Sequence, residues 1–123
     1  YYAEANRRTA VIPLVESSEG AANFEKILRT PGITAVFLGP VDLSVAMGLK
    51  GNVNAPEVRS ALLTMVEQAN RAGIPVGALG LDPAFVRELF SRGLNFLAYG
   101  IDTILMYQKC CEIQQAVFGR SAQ

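Results

Sequence analysis

Phe37-Leu38-Gly39-Pro40-Val41-Asp42-Leu43-Ser44-Val45-Ala46-Met47-Gly48 closes an apolar run that begins at Ile33 and leaves it through a Gly-Pro pair. One carboxylate, Asp42, follows at once, and a glycine ends the segment. A strand that exits this way places an acid just past its carboxyl end, where it either caps a short helix or holds a ligand. Three further apolar runs have strand length: residues 10–15, 76–79 and 96–99. Their nearly continuous apolarity suits strands covered on both faces, as in a parallel sheet. Pro13 lacks a ladder donor and predicts local unpairing in the first of them.

Helical patterns follow each run. Phe24, Ile27 and Leu28 share a face after the capping signal Ser17-Ser18. Val58, Leu62, Met65, Val66 and Ala69 form a longer stripe between Pro56 and Gly73. Val86, Leu89 and Phe90 follow Asp82-Pro83, and Leu105, Ile113 and Val117 follow Asp102-Thr103. The order is βαβαβαβα, an α/β chain with parallel strands. Strand starts are about 20 residues apart except between the second and third, where the interval doubles. The extra length, residues 39–55, follows the second strand's carboxyl end, where parallel α/β folds bind ligands. Four such units either close as an open doubly wound sheet or form half of an eight-stranded barrel. The opening residues Tyr1 to Arg8 read as the tail of a helix feeding a strand, which favours a half-barrel, one partial domain spanning residues 1–123.

Composition narrows the chemistry. Eleven basic residues balance eleven acidic ones, which leaves no electrostatic footprint for nucleic acid or an anionic membrane. No apolar stretch is long enough to span a bilayer. The adjacent pair Cys110-Cys111 has neither disulfide nor zinc spacing, and a reducing cytoplasm is the simplest setting. There is no histidine, so Ser-His-Asp and Cys-His catalysis and His-based metal binding are excluded within the chain.

Four acids stand at or just past strand ends: Glu16, Asp42, Asp82 and Asp102. Asp82 before Pro83 has the ordinary capping arrangement, and Asp102 before Thr103 resembles it as a cap or structural hydrogen-bond partner. Glu16 continues its strand directly and precedes two better caps, so its charge needs an Arg, a solvent cleft or a cation. Consecutive parallel strands are usually neighbours, which would let Glu16 and Asp42 reach one point above the sheet. Two carboxylates with room for water suit Mg²⁺ or Mn²⁺, while capping and solvation explain the same residues. Gly39 allows close backbone approach, and Pro40 opens a helix whose Val41 and Asp42 amides could receive an anion.

The stretch IPLVESSEGAANFEKILRTPGITAVFLGPVDLSVAMG, residues 12–48, resembles the HpcH/HpaI family of metal-dependent class II pyruvate aldolases. GNVNAPEV (51–58), AGIPVGAL (72–79) and NFLAYGIDT (95–103) resemble the family's succeeding segments in order and spacing. The resemblance implies the C-terminal half, strands five to eight, of a (β/α)8 TIM barrel. It implies that Glu16 and Asp42 bind a divalent cation, Mg²⁺ or Mn²⁺ with Co²⁺ as a further option. The amides of Val41 and Asp42, freed by Gly39 and Pro40, would hold the substrate carboxylate, and Leu79 would line the aldehyde side. The implied reaction joins or cleaves a 4-hydroxy-2-oxo acid, pyruvate and an aldehyde through a metal-stabilised enolate. The family's acid–base His and clamping Arg belong to the other half-barrel, so this half carries no catalytic residue and is expected to be inactive alone. Leu14 stands where many members have Gln, and Ala55 where a His precedes the Pro. The family is commonly hexameric with an exchanged last helix, and the apolar segment 104–118 suits either docking or ordinary packing. Two alternatives are a citrate lyase β-subunit-like acyl-CoA lyase and a non-catalytic half-barrel used for binding or assembly.

Overall fold

Pro13 decides where the sheet begins. In the computed structural model, which describes residues 2–119, a first helix α1 (Tyr2–Arg8) leads to a strand β1 of only two residues (Leu14–Val15). The chain then forms α2 (Ser18–Ala22), α3 (Phe24–Leu28), β2 (Val36–Leu38), α4 (Pro40–Ala46), α5 (Pro56–Ala72), β3 (Val76–Gly80), α6 (Pro83–Ser91), β4 (Phe96–Tyr99) and α7 (Asp102–Phe118). The expected strand over 10–15 is therefore cut to its last residues. The segment before it still leans on its neighbour: the Thr34 amide donates to Val11 O at 2.9 Å and the Phe37 amide to Pro13 O at 3.0 Å. The second strand is likewise shorter than the expected 33–38, and the third runs one residue longer, to Gly80.

The four strands pair in parallel in sequence order, β1-β2-β3-β4. Leu14, Phe37, Gly77 and Phe96 lie on one register line, and Val15, Leu38, Ala78 and Leu97 on the next. Side chains alternate between faces along a strand, so these two lines point to opposite sides of the sheet. The second faces the helices: Val15, Leu38 and Ala78 are buried with Phe24 and Leu28 of α3, Val58, Leu62 and Val66 of α5, and Leu89 of α6. Fully burying each such Leu or Phe contributes about 1.5–3 kcal/mol. The first line faces away, and Leu14 is 52% exposed. Coverage on both faces, expected from the apolar runs, is thus corrected: helices cover one face, and the other, the inner face of a barrel, is open among the described residues.

Three helical expectations also change. Asn23 separates α2 from α3 where one stripe was read. On α6 Phe90 is exposed, and Phe85 takes the buried position beside Val86 and Leu89. On α7 Leu105, Ile113 and Val117 are all exposed, and no residue of the helix is buried. The long stripe of α5 holds as read: Val58, Leu62, Met65, Val66 and Ala69 are all buried. Gly73, at φ 71°, closes that helix in the left-handed conformation that glycine adopts without steric cost.

Candidate functional site at the strand ends

The candidate residues lie at the carboxyl end of the sheet, with Glu16, Gly39 and Leu79 at register positions of its open face and Val41 and Asp42 in the first turn of α4. Continuing the β1–β2 register by one residue sets Glu16 beside Gly39, in line with Leu79 and Ala98 of the next two strands. The Gly39 amide donates to Val15 O at 3.0 Å, which fixes the two chains together at this point. A β-carbon on Gly39 would lie 3.0 Å from Glu16 Cβ and 3.1 Å from Glu16 Oε2. Glycine therefore leaves the space in which the Glu16 side chain rests.

Gly39 also caps α4, with Pro40 as its first residue. Proline is suited to that place, because its missing N–H would have had no intrahelical acceptor. The first bond of the turn runs from the Leu43 amide to Gly39 O at 3.1 Å, and no side chain caps the helix. The Val41 and Asp42 amides precede that bond, and the Asp42 carboxylate lies on the exposed first turn. Ser44 is fully buried, and its hydroxyl donates to Val41 O at 2.7 Å, which stiffens the turn. The other end of α4 is tied to the β1 loop: Ser18 Oγ donates to Ala46 O at 2.9 Å. One short stretch thus carries Glu16, caps α2 through Ser17 and holds the helix that carries Asp42.

Among the described residues, neither Glu16 nor Asp42 has a hydrogen-bonding or ionic side-chain partner. No group of three or more His, Cys, Asp or Glu side chains is placed to hold a metal there either. Glu16 and Asp42 would offer a cation two carboxylates and leave its other positions open. That set suits a hard, hydrated cation such as Mg²⁺, which keeps several water or substrate oxygens, and does not suit an all-protein cage. Together with the space over Gly39, the residues fit a divalent ion.

The other two acids serve structure. Asp82 caps α6, with Oδ1 accepting from the Ala84 amide at 3.0 Å, and its second oxygen pairs with Arg59. That amide bond, with the Arg59 guanidinium, holds the Asp82 carboxyl below the usual carboxylate value. Of the two roles expected of Asp102, the structure shows the hydrogen-bond partner and not the cap: Ile101 occupies the cap position, and Asp102 accepts from the adjacent Thr103 amide at 2.7 Å. Leu79 is half-buried and lines a small cleft of about 20 Å³ with Pro40, Val53, Asn54, Leu81 and Phe85. A larger cleft, about 360 Å³, lies between the carboxyl ends of α3 and α5, at the opposite end of the strands from Glu16. Arg59 and Phe85 escaped the reading of the sequence, since Arg59 directly follows a core position and reads there as an ordinary solvated charge.

The family described as HpcH/HpaI aldolase/citrate lyase matches residues 2–108. A "2-keto-3-deoxy-L-rhamnonate aldolase" of Salmonella paratyphi B is 36% identical over 118 residues, which are 96% of this chain and 44% of the relative. A solved HpcH/HpaI aldolase/citrate lyase family protein from Burkholderia cenocepacia superimposes with a TM-score of 0.80 at 30% identity, covering 94% of this chain and 46% of that one. An HpcH/HpaI aldolase from Desulfitobacterium hafniense shares the fold with a TM-score of 0.82 at 23% identity, covering 95% and 47%. The chain spans about half the length of the relatives it matches, and its four βα units are a half of their barrel.

Proposed function

The chain belongs to the HpcH/HpaI aldolase/citrate lyase family, and from that premise we propose that its protein is a metal-dependent carbon–carbon lyase. It would cleave or form a 4-hydroxy-2-oxo acid, with pyruvate or a close 2-oxo acid and an aldehyde as the partners. The observation that carries this reading is Glu16, a half-buried carboxylate without a partner among the described residues, resting over Gly39 at the foot of the helix that carries Asp42. The name of the Salmonella relative, an aldolase for a 2-keto-3-deoxy acid, supports the aldolase branch over acyl-CoA cleavage.

Glu16 and Asp42 would hold Mg²⁺, Mn²⁺ or Co²⁺, and the cation would supply Lewis-acid stabilisation of the charge that develops as the bond breaks. The Val41 and Asp42 amides, exposed by the Gly39-Pro40 step, would orient the carboxylate of the 2-oxo acid. Leu79 would line the aldehyde side. With no histidine in the chain, its residues bind and orient, and the proton is moved by a group from the other half-barrel. The intact protein would be cytoplasmic and homo-oligomeric, and a hexamer whose subunits cover α7 accords with a helix in which no residue is buried.

The test follows exchange of pyruvate methyl protons with solvent in the intact protein while Mg²⁺ or Mn²⁺ is added. Metal-dependent exchange that disappears in Glu16→Ala and Asp42→Ala supports the aldolase. Turnover of acyl-CoA without pyruvate exchange would mean the citrate lyase type, and absence of metal affinity would leave a non-catalytic scaffold.

A further inference from the structure

Two side chains of the first strand segment converge on the space above Gly39. A β-carbon built there would meet Glu16 Cβ at 3.0 Å, Glu16 Oε2 at 3.1 Å and Leu14 Cδ1 at 3.3 Å. Leu14 opens β1, and Glu16 continues its line beyond Val15. Val15 points to the helices and is buried, so Leu14 and Glu16 rise together from the open face. A Leu14 methyl group thus borders the space in which one oxygen of the Glu16 carboxylate rests. Leu14 is itself exposed and lies outside the helix-covered core, so the packing of that core does not account for it.

A carboxylate that binds a metal is usually oriented by a polar group behind it. Among the described residues Glu16 has no such hydrogen-bonding or ionic partner, so contact alone limits its rotamers. A Glu side chain loses rotamer entropy when a cation fixes it, and a wall that removes rotamers beforehand reduces that loss. Gly39 leaves the space open beside the carboxylate, and Leu14 closes it on the side of the sheet's amino end. An apolar side chain there offers no donor to Glu16 and no ligand to a cation, and it keeps water from that side of the carboxylate. We propose that Leu14 is a positioning residue that presets the Glu16 carboxylate for a divalent cation. The inference rests on the metal reading of Glu16 and Asp42 above and deepens it.

The experiment titrates Mn²⁺ into the intact protein, by calorimetry and by the electron paramagnetic resonance signal of the free ion, so that no turnover is read. Leu14→Ala removes the wall and should lower Mn²⁺ affinity about tenfold, as when a neighbour that orients a metal ligand is lost. Leu14→Met keeps an apolar chain of similar volume and should restore the affinity. Phe96→Leu is the control: it alters the same face two strands away from Gly39, and should lower the urea midpoint while Mn²⁺ affinity stays unchanged. Should Leu14→Ala fail to fold, Leu14→Val, which shortens the side chain by one carbon and suits a strand, should show a smaller fall in the same direction. A changed urea midpoint with unchanged Mn²⁺ affinity in the Leu14 variants overturns the proposal. Equal losses of affinity in Phe96→Leu and Leu14→Ala overturn it too, since any disturbance of the face would then suffice. Absence of Mn²⁺ binding in the unsubstituted protein overturns the metal reading itself, and the role of Leu14 with it.

Discussion

At Gly39 the backbone has an ordinary extended conformation, φ −100° and ψ 91°, so glycine is required there for space and not for its torsional freedom. Gly39→Ala would press a methyl group against Glu16 Cβ and Oε2 and displace the carboxylate. We expect Mn²⁺ affinity to fall about tenfold, as when a group that orients a metal ligand is disturbed. Crowding should also cost about 1–3 kcal/mol of stability. Isothermal titration and urea unfolding measure the two effects, and unchanged Mn²⁺ affinity would show that Glu16 is free to move. Asp82 makes a prediction of different sign and range. Its carboxyl is held below its ordinary value by the Ala84 amide and then by Arg59, so the stability it contributes is complete above the unfolded value, about pH 4. That stability is lost as pH falls through the lower folded value. The difference in urea midpoint between the parent and Asp82→Asn should narrow as pH is lowered through this range, and a constant difference would exclude the carboxyl as its source.

The elements show which signals a sequence carries by itself. Glu16, Asp42 and the Gly-Pro step stand out as candidates in the sequence because each breaks a local expectation: an acid continuing an apolar strand, or a turn where a strand could have gone on. The stripe of α5 was legible because five apolar residues repeat at helical spacing over seventeen residues. Short elements carried less. Nothing local distinguishes Phe85 from Phe90 on the nine-residue α6, and the choice falls to the sheet beneath it. There Gly80 lets α6 approach, since a β-carbon on it would meet Val86 Cγ2 at 2.4 Å. The Arg59–Asp82 pair joins residues twenty-three apart and exists only after α5 and α6 have packed. Gly77 offers a test at this scale. It lies between Phe37 and Phe96 on one register line, and its missing side chain lets their rings approach to 5.8 Å between centroids. A β-carbon there would stand 2.2 Å from Phe96 Cε2. Gly77→Ala should displace that ring, separate the aromatic pair and lower stability by about 1–3 kcal/mol in urea unfolding. A substitution without measurable cost would mean that Phe96 has a second accessible rotamer on the open face.

For the molecule as a whole, the decisive fact is that the helices cover one side of the sheet. Leu14, on the open side of β1, is 52% exposed, and Tyr99 of the other outer strand, β4, is 47% exposed although it shares a side with Leu97. Val11 and Ile12 extend that apolar surface ahead of β1, and α7 adds Met106, Tyr107, Val117 and Phe118, all exposed. Charge does little to keep such surfaces apart, since the acidic and basic residues balance. Two sheet edges with free backbone groups and an uncovered apolar face favour association of like chains. The 123-residue chain on its own should therefore sediment as species larger than 13.2 kDa, with a weight average that rises with concentration. Hydrogen exchange should order the elements by burial: slow amides in β2 and β3, which have a strand on each side, and fast ones in α7, which buries no residue. Supplying the missing half-barrel as a separate chain should reverse both observations, giving a discrete assembly and slower exchange at β1 and β4. A concentration-independent monomer with protected α7 amides would instead require that α7 fold back over the open face.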